Sequence, residues 1–300
     1  PPQPPNPRER LLIQYLLSGI TTGSVYAAVA VGFTLVYRTT GVLNFAQGEF
    51  VMLGGMTAVA CLAVAPLPVA VAVAVAAVGL AGAGLEWVFF RHLRRHSALH
   101  LTVITMGLSI VLRETALHIW DEKVRALPAF SGDAAAIRIG AAAVSPQVLW
   151  VLGTLAVAVA LLQAGFRHTQ PGRAMRACAA QPEAALLAGI NLARMRTLAF
   201  ALSAALGALA GCVVSPIAMT RYDMGSDLAI KGFSAAILGG LGNPLAAVVG
   251  GLLVGVLESL SVRVMPAAYK DVSAFVILIA VLLLRPHGLL GGGSASRREY

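Results

Sequence analysis

Seven stretches of this chain run without a single Asp, Glu, Lys or Arg: Leu11–Tyr37, Phe50–Leu85, Ser97–Leu112, Ile139–Phe166, Thr197–Thr220, Gly232–Leu257 and Val272–Leu284. A helix that crosses the hydrocarbon core of a bilayer needs about 20 apolar residues, with roughly 17–25 the usual range. The 36-residue run Phe50–Leu85 is too long for one crossing, and Ala65-Pro66-Leu67-Pro68 divides it, since two prolines cannot continue a helix. The pattern predicts an all-α polytopic membrane protein with about eight membrane segments, some of them broken or re-entrant. Composition agrees. Charged residues make up 12% of the chain, against about 25% in a soluble domain, and mean hydropathy is +0.81. A soluble globule, a disordered chain and a fibrous repeat are excluded.

One transmembrane domain is expected over 11–290, between a proline-rich extended tail at 1–10 and a short tail at 291–300. Leu11–Tyr37 exceeds the roughly 7–15 apolar residues of a secretion signal, and more membrane segments follow it, so it reads as a retained helix. Basic residues gather in two loops. One is Arg91-His92-Leu93-Arg94-Arg95-His96, and the other is 167–196, with five Arg against one Glu. The stretch Arg113–Arg138 balances Arg113, Lys123, Arg125 and Arg138 against Glu114, Asp121, Glu122 and Asp133. Lys and Arg accumulate on cytoplasmic loops, which puts the two basic loops inside and the balanced stretch outside. One helix separates each pair, so the parity closes, and the basic C-terminus belongs inside; simple parity puts the first residues outside, whereas a half-helix near Asn44 would reverse that. Placement of charge at membrane borders also argues against nucleic acid as the partner of this net charge of +9.

Chemistry is sparse. Cys61, Cys178 and Cys212 show no CxxC spacing and give neither a disulfide framework nor a metal site. None of the three lysines, Lys123, Lys231 and Lys270, completes the GxxxxGK[ST] loop that cradles ATP. No cofactor, catalytic residue or metal is expected in this chain. Uphill transport would draw its energy from a partner or an ion gradient.

Three polar or broken stretches stand out. Within 167–196, Pro171-Gly172 turns the chain, Arg173–Ala180 is a good helix former, and Pro182 and Glu183 suit the start of a second helix that Gly189 ends. Connections in bundles take about 2–8 residues, so a loop of this length favours docking over mere linkage. Asn44, Gln47 and Glu49 begin a helix within or against the membrane, where polar groups mark a solute path or a structural network. The competing reading has Asn44 and Glu49 capping that helix and pairing with Arg38. Gly239, Gly240, Gly242, Asn243 and Pro244 break a 26-residue apolar run, as transporter helices do at solute sites; close glycine packing is the alternative. Parity asks the run to go in and return as a hairpin. Glu86 is expected to snorkel towards Arg91, and Glu258 to pair with Arg263.

Glu183-Ala184-Ala185 followed by Gly189 resembles the EAA-x-x-x-G loop of ABC importer permeases. Gly32-Phe33-Thr34-Leu35-Val36-Tyr37 through Gly41–Glu49, then Leu238-Gly239-Gly240-Leu241-Gly242-Asn243-Pro244, then Arg285-Pro286-His287-Gly288-Leu289 complete a likeness to the LivH-type permeases of branched-chain amino-acid ABC transporters over Leu11–Leu290. His287 departs from the Gln, Ser or Lys more usual there. The resemblance implies a bacterial inner-membrane permease subunit for branched-chain amino acids, with urea, short amides or aromatic acids as solutes elsewhere in the family. It implies a second, LivM-like permease, two cytoplasmic ATPases and an extracytoplasmic binding protein. Arg173, Arg176, Glu183, Ala184, Ala185 and Gly189 would then seat in the ATPases. Two other classes are weighed: an ion-coupled carrier needs carboxylates inside the bundle, where only the peripheral Glu86 and Glu258 offer themselves, and a passive channel needs no docking loop.

Overall fold

The structure is a computed structural model that describes residues 7–90, 98–132, 137–139, 142–263, 266, 272, 275, 276, 279, 280, 283 and 288–290. Ten α-helices fall in these residues: α1 (Pro7–Thr40), α2 (Gln47–Cys61), α3 (Leu67–Leu85), α4 (Ala98–Trp120), α5 (Gln147–His168), α6 (Gln170–Ala180), α7 (Pro182–Leu187), α8 (Leu192–Ala218), α9 (Met224–Gly239) and α10 (Pro244–Ser261). Six are long and apolar enough to cross a bilayer, and α2 and α9 are shorter apolar helices within the bundle. A π-helical turn, Glu86–Phe90, extends α3, and two three-residue strands, Ile137–Ile139 and Ala142–Val144, pair as an antiparallel hairpin. The hairpin follows the balanced stretch, between α4 and α5, and leaves the all-α architecture intact. Most of Val272–Leu284, and the basic residues Arg285, Arg297 and Arg298, lie outside the described residues.

α1 and α2 occupy the centre of the bundle. α1 packs along α10, and α2 along α8, α3 and α9. Small residues permit this. Ideal Cβ atoms built at Gly19, Gly23, Gly251 or Gly255 would strike the backbone of the facing helix, and close backbone approach is the main source of helix–helix attraction in lipid. Ser259 Oγ donates to Tyr15 O at 2.7 Å, while Gly251 lies against Ala27, so α10 runs antiparallel to α1. Gly255→Leu would force these helices apart. We expect loss of folded permease from detergent extracts, read by size-exclusion chromatography, whereas Gly84→Leu, where a Cβ meets open space, should leave yield unchanged.

Chain breaks come where turn chemistry demands them. Pro66 and Pro68 open α3 after a short turn, as the run length predicts. α1 stops at Thr40 because Gly41 takes φ +70, a left-handed conformation that most residues avoid. The non-helical backbone at Gly41–Ala46 is satisfied from inside the protein: Thr105 Oγ1 accepts from Phe45 N at 3.0 Å, and Asn44 Oδ1 accepts from Ala46 N at 3.2 Å. Irregular backbone at membrane depth requires such partners. Gly240 (φ +117) and Gly242 (φ +97) turn the chain between α9 and α10, and Asn243 Oδ1 caps α10 through Leu245 N at 3.1 Å. The two helices pack on one another, with Gly239 against Ala246 and Gly250. This is the hairpin that charge parity asks for. From the C-terminal segment, Leu289 N and Leu290 N donate to Leu238 O (2.8 Å) and Gly239 O (3.0 Å), finishing the end of α9.

Both ends of the bundle agree with the charge reading. Arg125 and Thr220 exchange backbone bonds, joining the balanced loop to the end of α8. At the opposite end the basic residue Arg196, at the start of α8, donates through Nη2 to Phe90 O at 2.9 Å, next to the first basic loop.

Candidate functional site

At the basic end, α6 and α7 form a compact two-helix projection. Thr169 begins it: its Oγ1 accepts from Gly172 N at 3.1 Å and donates to Gly165 O at 2.6 Å, fixing α6 against the end of α5. Gly172, Met175 and Cys178, three residues apart, turn one face of α6 into the bundle, leaving Arg173 and Arg176 exposed. Burial pushes the Cys178 thiol up, so it is a packed apolar group rather than a nucleophile. Pro182 opens α7 after the break at Gln181, as the sequence predicts. Gly189 ends it at φ +81, with its N–H donating to Leu186 O and that of Ile190 to Ala185 O, both at 3.0 Å. Ala185 is buried; Glu183, Ala184, Leu186 and Leu187 face outward, Leu187 at 90% exposure. Two exposed leucines on a charged projection are costly in water. The sequence reading passed over them because a pair of leucines in an Ala-rich helix looks like core. Behind the projection a cavity of about 150 Å³ lies between Cys178 and Pro182 on one side and Thr39, Thr40, Phe90 and Arg196 on the other.

Glu86 departs from expectation. It pairs with Arg196 and Thr197 of α8 rather than with Arg91, which lies outside the described residues. The π-turn and the start of α8 are packed side by side, so the acid meets a cation from a distant part of the chain before it can reach along its own helix. Removing one partner of a buried pair costs about 3–5 kcal/mol because the other charge is left uncompensated. Glu86→Ala should therefore lower the thermal midpoint of the purified permease by several degrees, and a double Glu86→Ala, Arg196→Leu variant should recover much of it. Glu258 also departs: it meets Lys231 Nζ at 3.0 Å, not Arg263, because α9 and α10 fold back on each other. Lys231 lies over the Tyr26 ring at 5.4 Å, tying the hairpin to α1.

The polar residues at the start of α2 are all fully buried. Gln47 Nε2 donates to Ser203 O at 3.1 Å, and Ser203 Oγ lies 2.6 Å from Gln47 Oε1 and 2.9 Å from Gly32 O, so α2, α8 and α1 are stapled together. Glu49 Oε1 accepts from Ser109 Oγ (2.8 Å) and Ser226 Oγ (3.1 Å), joining α2 to α4 and α9. The expected pairing with Arg38 does not form; Arg38 stacks on Phe166 at 5.5 Å. Asn44 makes only its local turn and caps no helix directly. Gly239, Gly240, Gly242, Asn243 and Pro244 form the separate α9–α10 turn. Ser109, Ser203 and Ser226 were missed, although Ser109 and Ser203 stand inside long apolar runs, where a lone serine is a visible signal of interhelical bonding; Ser226, between Asp223 and Asp227, gives no such signal. Among the described residues, no group of three His, Cys, Asp or Glu could hold a metal ion.

A buried bundle with two broken helices, small-residue packing and a charged two-helix projection at its basic end defines a multi-pass membrane permease. The family described as "Branched-chain amino acid transport system / permease component" matches residues 15–282, and the chain belongs to it. It is a transport component and not an enzyme. The permease LivH of Salmonella typhimurium, named for high-affinity branched-chain amino acid transport, is 34% identical over 93% of this chain and 95% of its own. BraD of Pseudomonas aeruginosa, named likewise, is 34% identical with the same coverage. A ribose import permease, RbsC of Haemophilus influenzae, is 27% identical over 90% of this chain and 84% of its own. Among solved structures, PsaBC from Streptococcus pneumoniae in complex with Fab covers 92% of each chain at TM-score 0.48 and 14% identity, too distant to add to the assignment.

Proposed function

We propose that this chain is the permease subunit of an ATP-driven importer of branched-chain, hydrophobic amino acids in the bacterial plasma membrane. It works with a second, LivM-like permease, two cytoplasmic ABC ATPases and an extracytoplasmic binding protein; ATP is bound by the ATPases alone. The single observation that carries the ATPase partnership is the α6–α7 projection: exposed Leu186 and Leu187 beside Arg173, Arg176 and Glu183, on a segment closed by a left-handed Gly189. Such a surface suits a groove of mixed apolar and acidic character on a cytoplasmic partner. Closure of the ATPases would move α6 and α7, and the cavity behind them gives that motion room before it reaches the end of α1 and the Glu86–Arg196 pair. The relatives named for branched-chain amino acids support the solute class; the ribose permease shows that a related chain can serve a different solute, so the solute needs its own test. Uptake of labelled leucine by cells carrying the intact gene set should disappear when this chain is deleted and return with it. Urea and ribose in hundredfold excess should not compete, whereas isoleucine and valine should. Competition by urea and none by isoleucine would reverse the solute assignment.

A further inference from the structure

α7 ends at Leu187 and α8 begins at Leu192, so a short junction joins the projection to the bundle. Both sides of it are closed by hydrogen bonds. Ile190 N donates to Ala185 O at 3.0 Å, and Asn191 Oδ1 caps α8 by accepting from Arg194 N at 3.0 Å. Such a junction leaves little slack between α7 and α8. One turn into α8 stands Arg196. Its Nε meets Glu86 Oε1 and its Nη2 donates to Phe90 O at 2.9 Å, so one guanidinium holds both ends of the π-helical turn Glu86–Phe90. Thr197 Oγ1 donates to the other oxygen of Glu86, and the Phe90 and Phe200 rings pack with centroids 5.0 Å apart. Across the 150 Å³ cavity, Phe90, Arg196 and Phe200 face Cys178 and Pro182 of the projection.

Each contact has a physical reason. The last carbonyls of a helix lack partners within it and carry the negative end of its dipole, which a cation satisfies. A guanidinium serves a carboxylate and a carbonyl together because its donors form a rigid fork, whereas lysine offers a point charge. π-turns are rare and recur at functional sites. Stability alone does not call for this arrangement, since apolar residues of similar size often replace a buried ion pair without loss. What the pair does supply is one fixed position of two helix ends. Beyond it, Arg196, Phe200, Ser203, Gly207 and Gly211 stand three or four residues apart, on one face of α8. That face meets the rest of the bundle in order. Gly82 of α3 lies against Phe200 O and Ala204, Ser203 Oγ bonds Gly32 O of α1 at 2.9 Å, and Gly207 and Gly211 receive Phe50 and Val51 of α2. A shift at the start of α8 therefore reaches α3 first, and α1 and α2 two turns later. Both partners of every one of these contacts belong to this chain.

We propose that Glu86 and Arg196 are positioning residues of coupling. They clamp the end of α3 to the start of α8, so that displacement of the α6–α7 projection moves the two helices as one body. Without the clamp the first turns of α8 absorb the displacement, and hydrolysis proceeds while the bundle stays in place. The inference rests on the ATPase-driven reading of the projection and adds the element that receives its motion.

The test uses the full complex in liposomes: this permease, its second permease, the two ATPases and the binding protein. Leucine taken up per ATP hydrolysed is measured beside the thermal midpoint of each purified variant. Glu86→Ala with Arg196→Leu removes both charges together. Its midpoint should return towards wild type while leucine per ATP falls roughly tenfold or more. A merely structural pair would recover both, so a wild-type ratio in the double variant would overturn the proposal. Arg196→Lys keeps a charge beside Glu86 but loses the fork to Phe90 O; its midpoint should stay near wild type and its ratio fall about threefold. Should the double variant not regain its midpoint, Arg196→Lys decides, and a wild-type ratio there would overturn the clamp. Leucine accumulation by the wild-type complex without ATP would overturn the importer reading and the clamp together, and it would be seen before any variant is made.

Discussion

A Gly189→Val permease should reach the membrane and assemble, yet lose at least nine-tenths of its solute uptake. The backbone at Gly189 holds φ +81, and an added Cβ there meets nothing within 4 Å. The penalty therefore comes from the backbone itself, about 1–2 kcal/mol for a left-handed residue with a side chain and more for a β-branched one. Valine escapes the strain by leaving that conformation, which removes the bonds from Gly189 and Ile190 that close α7 and redirects Leu186 and Leu187. The bundle is untouched, so solute delivery should persist while ATP hydrolysis runs without transport. Glu183→Lys places a cation in the first turn of α7, where the exposed N–H groups favour an anion, and should uncouple more mildly. The check is leucine uptake per ATP hydrolysed. Equal ratios in wild type and Gly189→Val would mean that the projection does not carry the coupling.

The α9–α10 turn should be nearly as sensitive. Gly242 sits at φ +97 with open space around a Cβ, and Gly240 at φ +117. Leucine at 242 combined with Pro244→Ala favours a continuous helix across the turn, yet the partners of the turn are fixed: Gly239 lies against Ala246, and Leu289 and Leu290 bond the last carbonyls of α9. The conflict should reposition α9, and with it Ser226 and Lys231, which reach Glu49 and Glu258. Uptake should fall tenfold or more, equivalent to at least ~1.4 kcal/mol in the transport barrier, with surface expression retained. Normal uptake at normal expression would reduce the glycines to packing.

Local chemistry carried the sequence reading a long way. The Pro66–Pro68 turn, the 239–244 break and the end of α7 at Gly189 were legible because proline and glycine act on backbone angles within a residue or two. Charge placement separated the ends of the bundle because it sums over whole loops: the balanced loop meets the end of α8 at Thr220, and Arg196 stands at its start. Side-chain partners were not legible. Local spacing pairs Glu86 with the nearest cation along the chain and Glu258 likewise, whereas the structure uses Arg196 and Lys231, 110 and 27 residues away. The same holds for Gln47 and Glu49: that they are polar inside a membrane could be read, but their partners Ser203, Ser109 and Ser226 depend on helix packing that no local rule specifies.

The central claim is that this chain couples hydrolysis by separate ATPases to uptake of a hydrophobic amino acid, and one measurement addresses it directly. The permease is reconstituted in liposomes with its second permease, ATPases and binding protein, and ATP hydrolysis and internal leucine are followed together. The account predicts hydrolysis that rises several-fold when liganded binding protein is added, with leucine concentrated inside and both effects lost on removing this subunit. Leucine accumulation driven by a proton or sodium gradient without ATP, or hydrolysis indifferent to the liganded binding protein, would contradict it.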